Sequence, residues 1–226
     1  MEENNLNYQK QIDYNRDKYH YFIGNILNNF EQINVLKKIR KILKKKYYLK
    51  DYHWNNLFST NLIYLGFLDQ NTANIYMQNI ISNLLSVLSN KFKPLKCNYT
   101  GYKISYDKSY YKISLNYNDE DNYLEKIIIP YLHENAIAPI YNKRKINLFP
   151  AIDLINFKSS SILSSNKDKI NLFIPKEEFI IDNLSLIKGT PVKIRKGLPS
   201  VHDQMNLEEV YKYKFPFKKN NNNEVI

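Results

Sequence analysis

The stretch from Phe58 to Leu68, FSTNLIYLGFL, decides how the rest of the chain is read. Its apolar residues and short length fit a buried β-strand, and Gly66 and Asp69 supply a turn signal at its end. Ser59 and Asn61 interrupt the apolar run. They stand two residues apart, so on a strand they share one face. Such a pair either lines a polar site or marks a solvated strand end, and the strand alone leaves both readings open.

The neighbours of this strand are helical. Downstream, Met77, Ile80, Ile81, Leu84, Leu85 and Leu88 recur at helical spacing, which predicts a helix over 70–89. Upstream, Ile33, Leu36, Ile39 and Leu43 mark one face of a helix from Glu31 to Lys46. Lys37, Lys38, Arg40, Lys41, Lys44, Lys45 and Lys46 occupy its remainder. That basic surface is either a phosphate-tracking face or a solvated one in a lysine-rich chain. HYFIGNIL (20–27) reads as a strand before this helix.

Beyond residue 92 the period changes to two. Tyr111, Ile113, Leu115 and Tyr117 alternate with polar residues and predict, with YTGY before them, an antiparallel pair over 92–117. Leu124, Ile127, Ile128, Tyr131 and Leu132 form another helical face behind an acidic first turn, and Pro130 should kink that helix or loosen its end. The basic loop Tyr141–Lys145 leads into a strand, INLFPAIDLINF (146–157). A polar tract, KSSSILSSNKDK, precedes late strands in INLFIP (170–175), EEFIIDNLSLIKG (177–189) and EEVYKYKFPF (208–217). These elements predict an α+β fold. The expected organisation is a disordered segment over 1–18, a single domain over 19–217 and a disordered tail over 218–226.

Composition narrows the function classes. The 226 residues suffice for a hydrophobic core, and 43% apolar content with 20 Tyr and 11 Phe argues against wholesale disorder. The net charge of +11 favours polyanionic partners. A single cysteine, Cys97, excludes an internal disulfide framework and any multi-cysteine zinc site. Histidines 20, 53, 133 and 202 show no metal-ligand spacing, so neither metal nor cofactor is expected. The acidic start carries no signal-peptide pattern and no run is long enough to span a bilayer. An intracellular monomer, cytoplasmic or nuclear, is the expectation.

STNLIYLG (59–66) and FPAIDLINF (149–157) together resemble the two motif strands of the 2H phosphoesterase superfamily. That superfamily includes the RNA 2′,3′-cyclic phosphodiesterases (2′-5′ RNA ligases) and the phosphoesterase-like domain of A-kinase anchor proteins. Leu62, Tyr64, Leu65 and Gly66 match the apolar and glycine positions of the first frame, and Trp54 lies just upstream. The resemblance covers about residues 19–217. It implies a pseudo-twofold arrangement of mostly antiparallel sheets, with helices on the outer faces around a central groove.

In the family, two His-x-Thr/Ser motifs supply general acid, general base and phosphate-holding hydroxyls. Carried onto this chain, the histidines fall on Ser59 and Ala151, and the hydroxyl residues on Asn61 and Asp153. Neither histidine is present. Ala151 moves no proton, Ser59 has no pKa near neutrality, and a carboxylate at Asp153 repels a phosphate. His53, His133 and His202 read as surface or packing residues.

The residues expected to contact a ligand are Asn61, Lys143, Arg144, Lys145 and Asp153. Asp153 is expected to pair with Asn61 or with a lysine of the 143–145 loop. The favoured function is non-catalytic binding of RNA or a nucleotide-like ligand. The alternatives are a 2′,3′-cyclic or 2′-5′ phosphodiesterase with replaced catalytic groups, and a basic structural subunit of a larger assembly.

Overall fold

The computed structural model describes residues 18–49, 57–88, 94–107, 110–134, 150–157, 170, 172–191 and 205–215. Their elements are β1 (Lys18–Ile26), α1 (Phe30–Lys46), β2 (Ser59–Asp69), α2 (Gln70–Leu88), β3 (Leu95–Asp107) and β4 (Tyr110–Asp119). A π-helical turn (Leu124–Ile128) and α3 (Ile129–Glu134) follow, then β5 (Ala151–Phe157), β6 (Phe179–Ile181), β7 (Asn183–Pro191) and β8 (Met205–Lys214). The strands form one eight-stranded sheet in the order β6-β3-β4-β5-β2-β1-β7-β8, every pairing antiparallel.

Local chemistry starts each helix. The Asn29 side chain accepts from the Gln32 amide at 3.0 Å and caps α1. Asp69 does the same for α2, accepting from the Thr72 amide at 2.9 Å and the Thr72 hydroxyl at 2.7 Å. Those bonds favour the charged form and lower the Asp69 carboxyl below its ordinary pKa. The third helix begins on Asp119, whose carboxylate accepts from the Tyr123 and Leu124 amides at the end of β4. Pro130 acts there as expected. It has no N–H to give four residues back, and the preceding turn widens so that the Ile129 amide reaches Leu124.

These helices bury their apolar stripes against the same sheet face. Leu36, Ile39 and Leu43 of α1, Ala73 and Met77 of α2, and Leu132 of α3 join Tyr21, Ile23, Leu62, Ile113, Leu115, Ile152 and Leu184 in one core. Arg40 ties α1 to β5 by donating to the Leu154 carbonyl at 2.6 Å while its guanidinium lies over the Phe58 ring. The other face carries a small apolar cluster of Phe22, Ile187, Met205 and Leu207, to which no described helix residue contributes.

Strand β2 is longer and less regular than its sequence implied. Gly66 does not close it but lies inside it, at φ +130. Against β1 the register slips twice, so that Leu62 and Leu65 are extra residues opposite no partner. These two bulges let Leu62 and Ile63, neighbours in sequence, both enter the core. Gly66 then takes a backbone conformation that a side chain would strain.

The expected strand over 177–189 is divided at Asp182 between opposite ends of the sheet. A flat eight-stranded sheet would be about 34 Å across. Ile181 pairs with Leu95 near one end and Asn183 with Lys214 at the other, yet two residues span at most about 7 Å. The sheet therefore curls until its ends meet, where the Phe215 amide donates to the Asp182 carbonyl at 2.7 Å. Among the described residues of 170–175, where a strand was expected, none is in a strand. Leu172 bonds back to Ile170, and Pro175 has no amide to offer a ladder. Residues 1–17 and 216–226, with most of the expected terminal segments, lie outside the described residues. Among the described residues no helix is long and apolar enough to cross a membrane.

Two outcomes follow from this packing. Thr60, fully buried, accepts from the Asn25 amide at 3.0 Å, so Thr60→Val should cost about 1–3 kcal/mol in urea unfolding. Unchanged stability would show that this amide does not depend on the hydroxyl. Burial, with Asp119 adding to it, pushes the Cys97 thiol up to about 12. An aromatic disulfide reagent should thus leave Cys97 unmodified in native protein at pH 8 and react only after guanidinium unfolding.

Candidate functional site

The two halves of the sheet meet at one ladder pair, Thr60 with Ile152. Both residues are fully buried on the helix-bearing face. Alternation along the two strands then sends positions 59, 61, 151 and 153 to the opposite face, with 59 across from 153 and 61 across from 151. Ser59, Ala151 and Asp153 therefore lie on one face. Ser59 is buried at the end of β2 facing Ile26, and Ala151 and Asp153 are half-buried. Asn61 pairs with Gly24, and its side chain lies outside the described residues. Lys143, Arg144 and Lys145 also lie outside them, as do Trp54, His53, His202 and the side chain of His133.

Asp153 finds its partners on β4. Lys112 Nζ donates to Asp153 Oδ2 at 3.2 Å and Ser114 Oγ to Oδ1 at 3.0 Å. The register places Ser114 directly beside Asp153, after a bulge at Leu154 that returns β5 to phase. Lys112, Ser114 and Asn116 share this face because Ile113 and Leu115 are fully buried on the other. A carboxylate bound by an ammonium and a hydroxyl shows what the pair can hold, namely an oxyanion.

A comparable trio lies on the other half of the same face. The buried Ser185 of β7 has its hydroxyl 2.9 Å from Asn183 Oδ1 and 2.5 Å from Glu209 Oε1, and Lys212 bonds Glu209 at 3.0 Å. One hydroxyl proton serves one acceptor at a time. Each half thus carries a serine, a carboxylate and a lysine across two adjacent strands. Among the described residues, no three His, Cys, Asp or Glu side chains gather as a metal site.

One residue of this face was missed in the sequence. His20 of β1 is 2% exposed, and its Nδ1 lies 2.7 Å from the Tyr64 hydroxyl. Its ring also contacts Phe67. Burial pushes the Tyr64 phenol up to about 12, so Tyr64 stays protonated at neutral pH. Alternation from Gly24 through Phe22 puts His20 on this face, a signal readable in HYFIGNIL. The partner was not readable, because the β2 bulges decide that Tyr64 comes alongside.

No family model matches the sequence, and no curated protein matches it. Solved structures do. TT0787 of Thermus thermophilus aligns with a TM-score of 0.58 at 11% identity, over 88% of this chain and 99% of that one. LigT of Escherichia coli in its apo form gives 0.52 at 13% identity, over 88% and 98%. Usb1 of Kluyveromyces marxianus, determined with uridine monophosphate, gives 0.51 at 9% identity, over 85% and 99%. At such identities the similarity speaks for backbone architecture, and each match spans nearly the whole of the other chain. The protein has a 2H phosphoesterase-like fold.

Proposed function

We propose that this chain is a non-catalytic 2H phosphoesterase-like protein that takes RNA or a nucleotide-like ligand in a degenerate form of the groove. The observation that carries this reading is the Thr60–Ile152 pair. That register supports a shared face for the motif positions, whose residues are serine, asparagine, alanine and aspartate. Acid–base attack by a ribose hydroxyl needs two groups that exchange protons near neutrality, and Ser59 and Ala151 are not such groups. His20 lies outside the motif positions, buried on β1 with its Nδ1 2.7 Å from the Tyr64 hydroxyl.

Binding draws on the groups around Asp153. Lys112 and Ser114 already hold an anionic oxygen there, and the basic Lys143–Lys145 loop precedes β5 in the chain. The sheet order, four strands either side of the β2–β5 junction, supports a pseudo-twofold axis through Thr60 and Ile152. Usb1, of the same fold, was determined with a mononucleotide. In this chain the Asp153 charge competes with a ligand phosphate for Lys112, which makes the groove a weak phosphate site with a resident rival.

Titration with a fluorescent uridine monophosphate analogue tests this. Asp153→Asn keeps an acceptor for Ser114 and removes the charge, and should tighten binding about fivefold. Lys112→Ala should weaken it by about tenfold. Weaker binding in Asp153→Asn would overturn the reading and make the carboxylate itself a ligand contact. Steady turnover of a 2′,3′-cyclic nucleotide by the purified chain would replace it with the phosphodiesterase alternative.

A further inference from the structure

Helix α1 lies on the sheet face opposite the motif positions, and its solvent side is one-signed. Lys37, Lys38, Lys41 and Lys45 are all exposed. Glu31 is the sole carboxylate in the helix, far from them in the first turn. None of the four lysines has an acidic residue three or four positions away in the helix, and none makes an ion pair among the described residues. Lysines at the last turn suit the helix dipole, which accounts for Lys44, Lys45 and Lys46. It does not account for Lys37, Lys38 and Lys41 in mid-helix. There the i,i+4 pairs Lys37–Lys41 and Lys41–Lys45 repel, each costing a few tenths of a kcal/mol.

The C-terminal end of α1 adds a second observation. Tyr47 caps the helix by donating to Leu43, and the Leu49 amide reaches back to the Lys44 carbonyl at 3.1 Å. This reversal needs a left-handed residue between them, the position that glycine usually fills. Here it is Tyr48, at φ 51 and 82% exposed. Tyr48 makes no hydrogen bond or ring contact among the described residues. The backbone is strained in order to hold a bare aromatic ring in water, and packing returns nothing for it.

From these two features we infer that α1 and Tyr48 form a binding surface for a single-stranded polynucleotide, separate from the groove. Lys37, Lys41 and Lys45 succeed one another at about 6 Å along the helix, a spacing that lets each meet a successive backbone phosphate. Tyr48 follows at the end of that row, where a base can stack on its open ring. An anionic lipid interface would also accept the lysines and a tyrosine, but it offers no row of charges at a fixed repeat for Lys37, Lys41 and Lys45 to meet in turn, as a polynucleotide backbone does. The surface rests on its own residues and stands or falls independently of the groove reading.

The test uses the full chain and a fluorescein-labelled 12-nucleotide oligo(U), with oligo(dU) of equal length and phosphatidylserine vesicles as parallel arms. Lys37→Gln/Lys41→Gln/Lys45→Gln should flatten the slope of log affinity against log salt by about 2, close to 0.7 for each lysine removed. Tyr48→Gly should weaken oligonucleotide binding about fivefold or more. It should also raise the melting temperature, because glycine relaxes the left-handed turn, so lost binding cannot be lost folding. Equal effects in both oligonucleotide arms assign the surface to single strands in general, and effects in oligo(U) alone assign it to RNA. The inference is overturned if the wild-type chain binds neither oligonucleotide, if the triple variant keeps its salt slope, if Tyr48→Gly binds as tightly as wild type, or if only vesicle binding responds. Lys112→Ala should leave oligonucleotide binding on this surface intact while weakening the mononucleotide. Failure of the groove reading therefore looks different from failure of this one.

Discussion

One ladder pair, Thr60 with Ile152, is the constraint on which the arrangement depends. Among the described residues it is the only register pair between β2 and β5, whereas β3 and β4 share ten. So slender a junction holds because its residues are fully buried and because the Thr60 hydroxyl is itself bonded to Asn25 of the next strand. Tyr117, also in this core, has its phenol driven far above its ordinary pKa by burial, with Thr60 opposing. A polar hydroxyl in that setting is retained by its bonds, since an unbonded one would cost more than it gives. A covalent tie between the halves runs through Asp182, and it forces the sheet to curl.

The same junction governs the chemistry. Strand alternation fixes what the far face shows once Thr60 and Ile152 point into the core, and the result is a motif geometry without histidine. Asp153 is not left exposed as an unpaired charge. Lys112 and Ser114 engage it, and on the other half Lys212 and Ser185 engage Glu209. Carboxylates on both halves are thus paired within the sheet. The helix-bearing side is different in kind: the lysines of α1 repel one another without acidic partners in the helix, and the strained Tyr48 projects a ring into water.

Much of this was legible beforehand because it is local. Helix spacing placed α1 and α2 to within a residue or two, and Pro130 marked the distorted turn before α3. The alternation of Tyr111, Ile113, Leu115 and Tyr117 in β4 signals a hairpin. What failed were judgements that need a partner strand. Gly66 looked like a terminus because nothing in FSTNLIYLGFL announces a bulge. Residues 177–189 looked like one strand because Asp182 gives no hint that its two sides pair at opposite sheet ends. His20 carries no local signal of its role, because its neighbour Tyr64 is 44 positions away.

Periodicity and side-chain identity are local, and they suffice for α1, α2, the β3–β4 pair, the α+β class and the absence of histidine at both motif-like positions. Only the folded pairing shows that Ser59, Ala151 and Asp153 share a face, that Asp153 answers to Lys112 and Ser114, and that Tyr48 stands exposed in a left-handed turn. The physical reason is that register and exposure belong to pairs of segments rather than to either segment. A one-residue slip between β2 and β5 would have turned the same residues into the core.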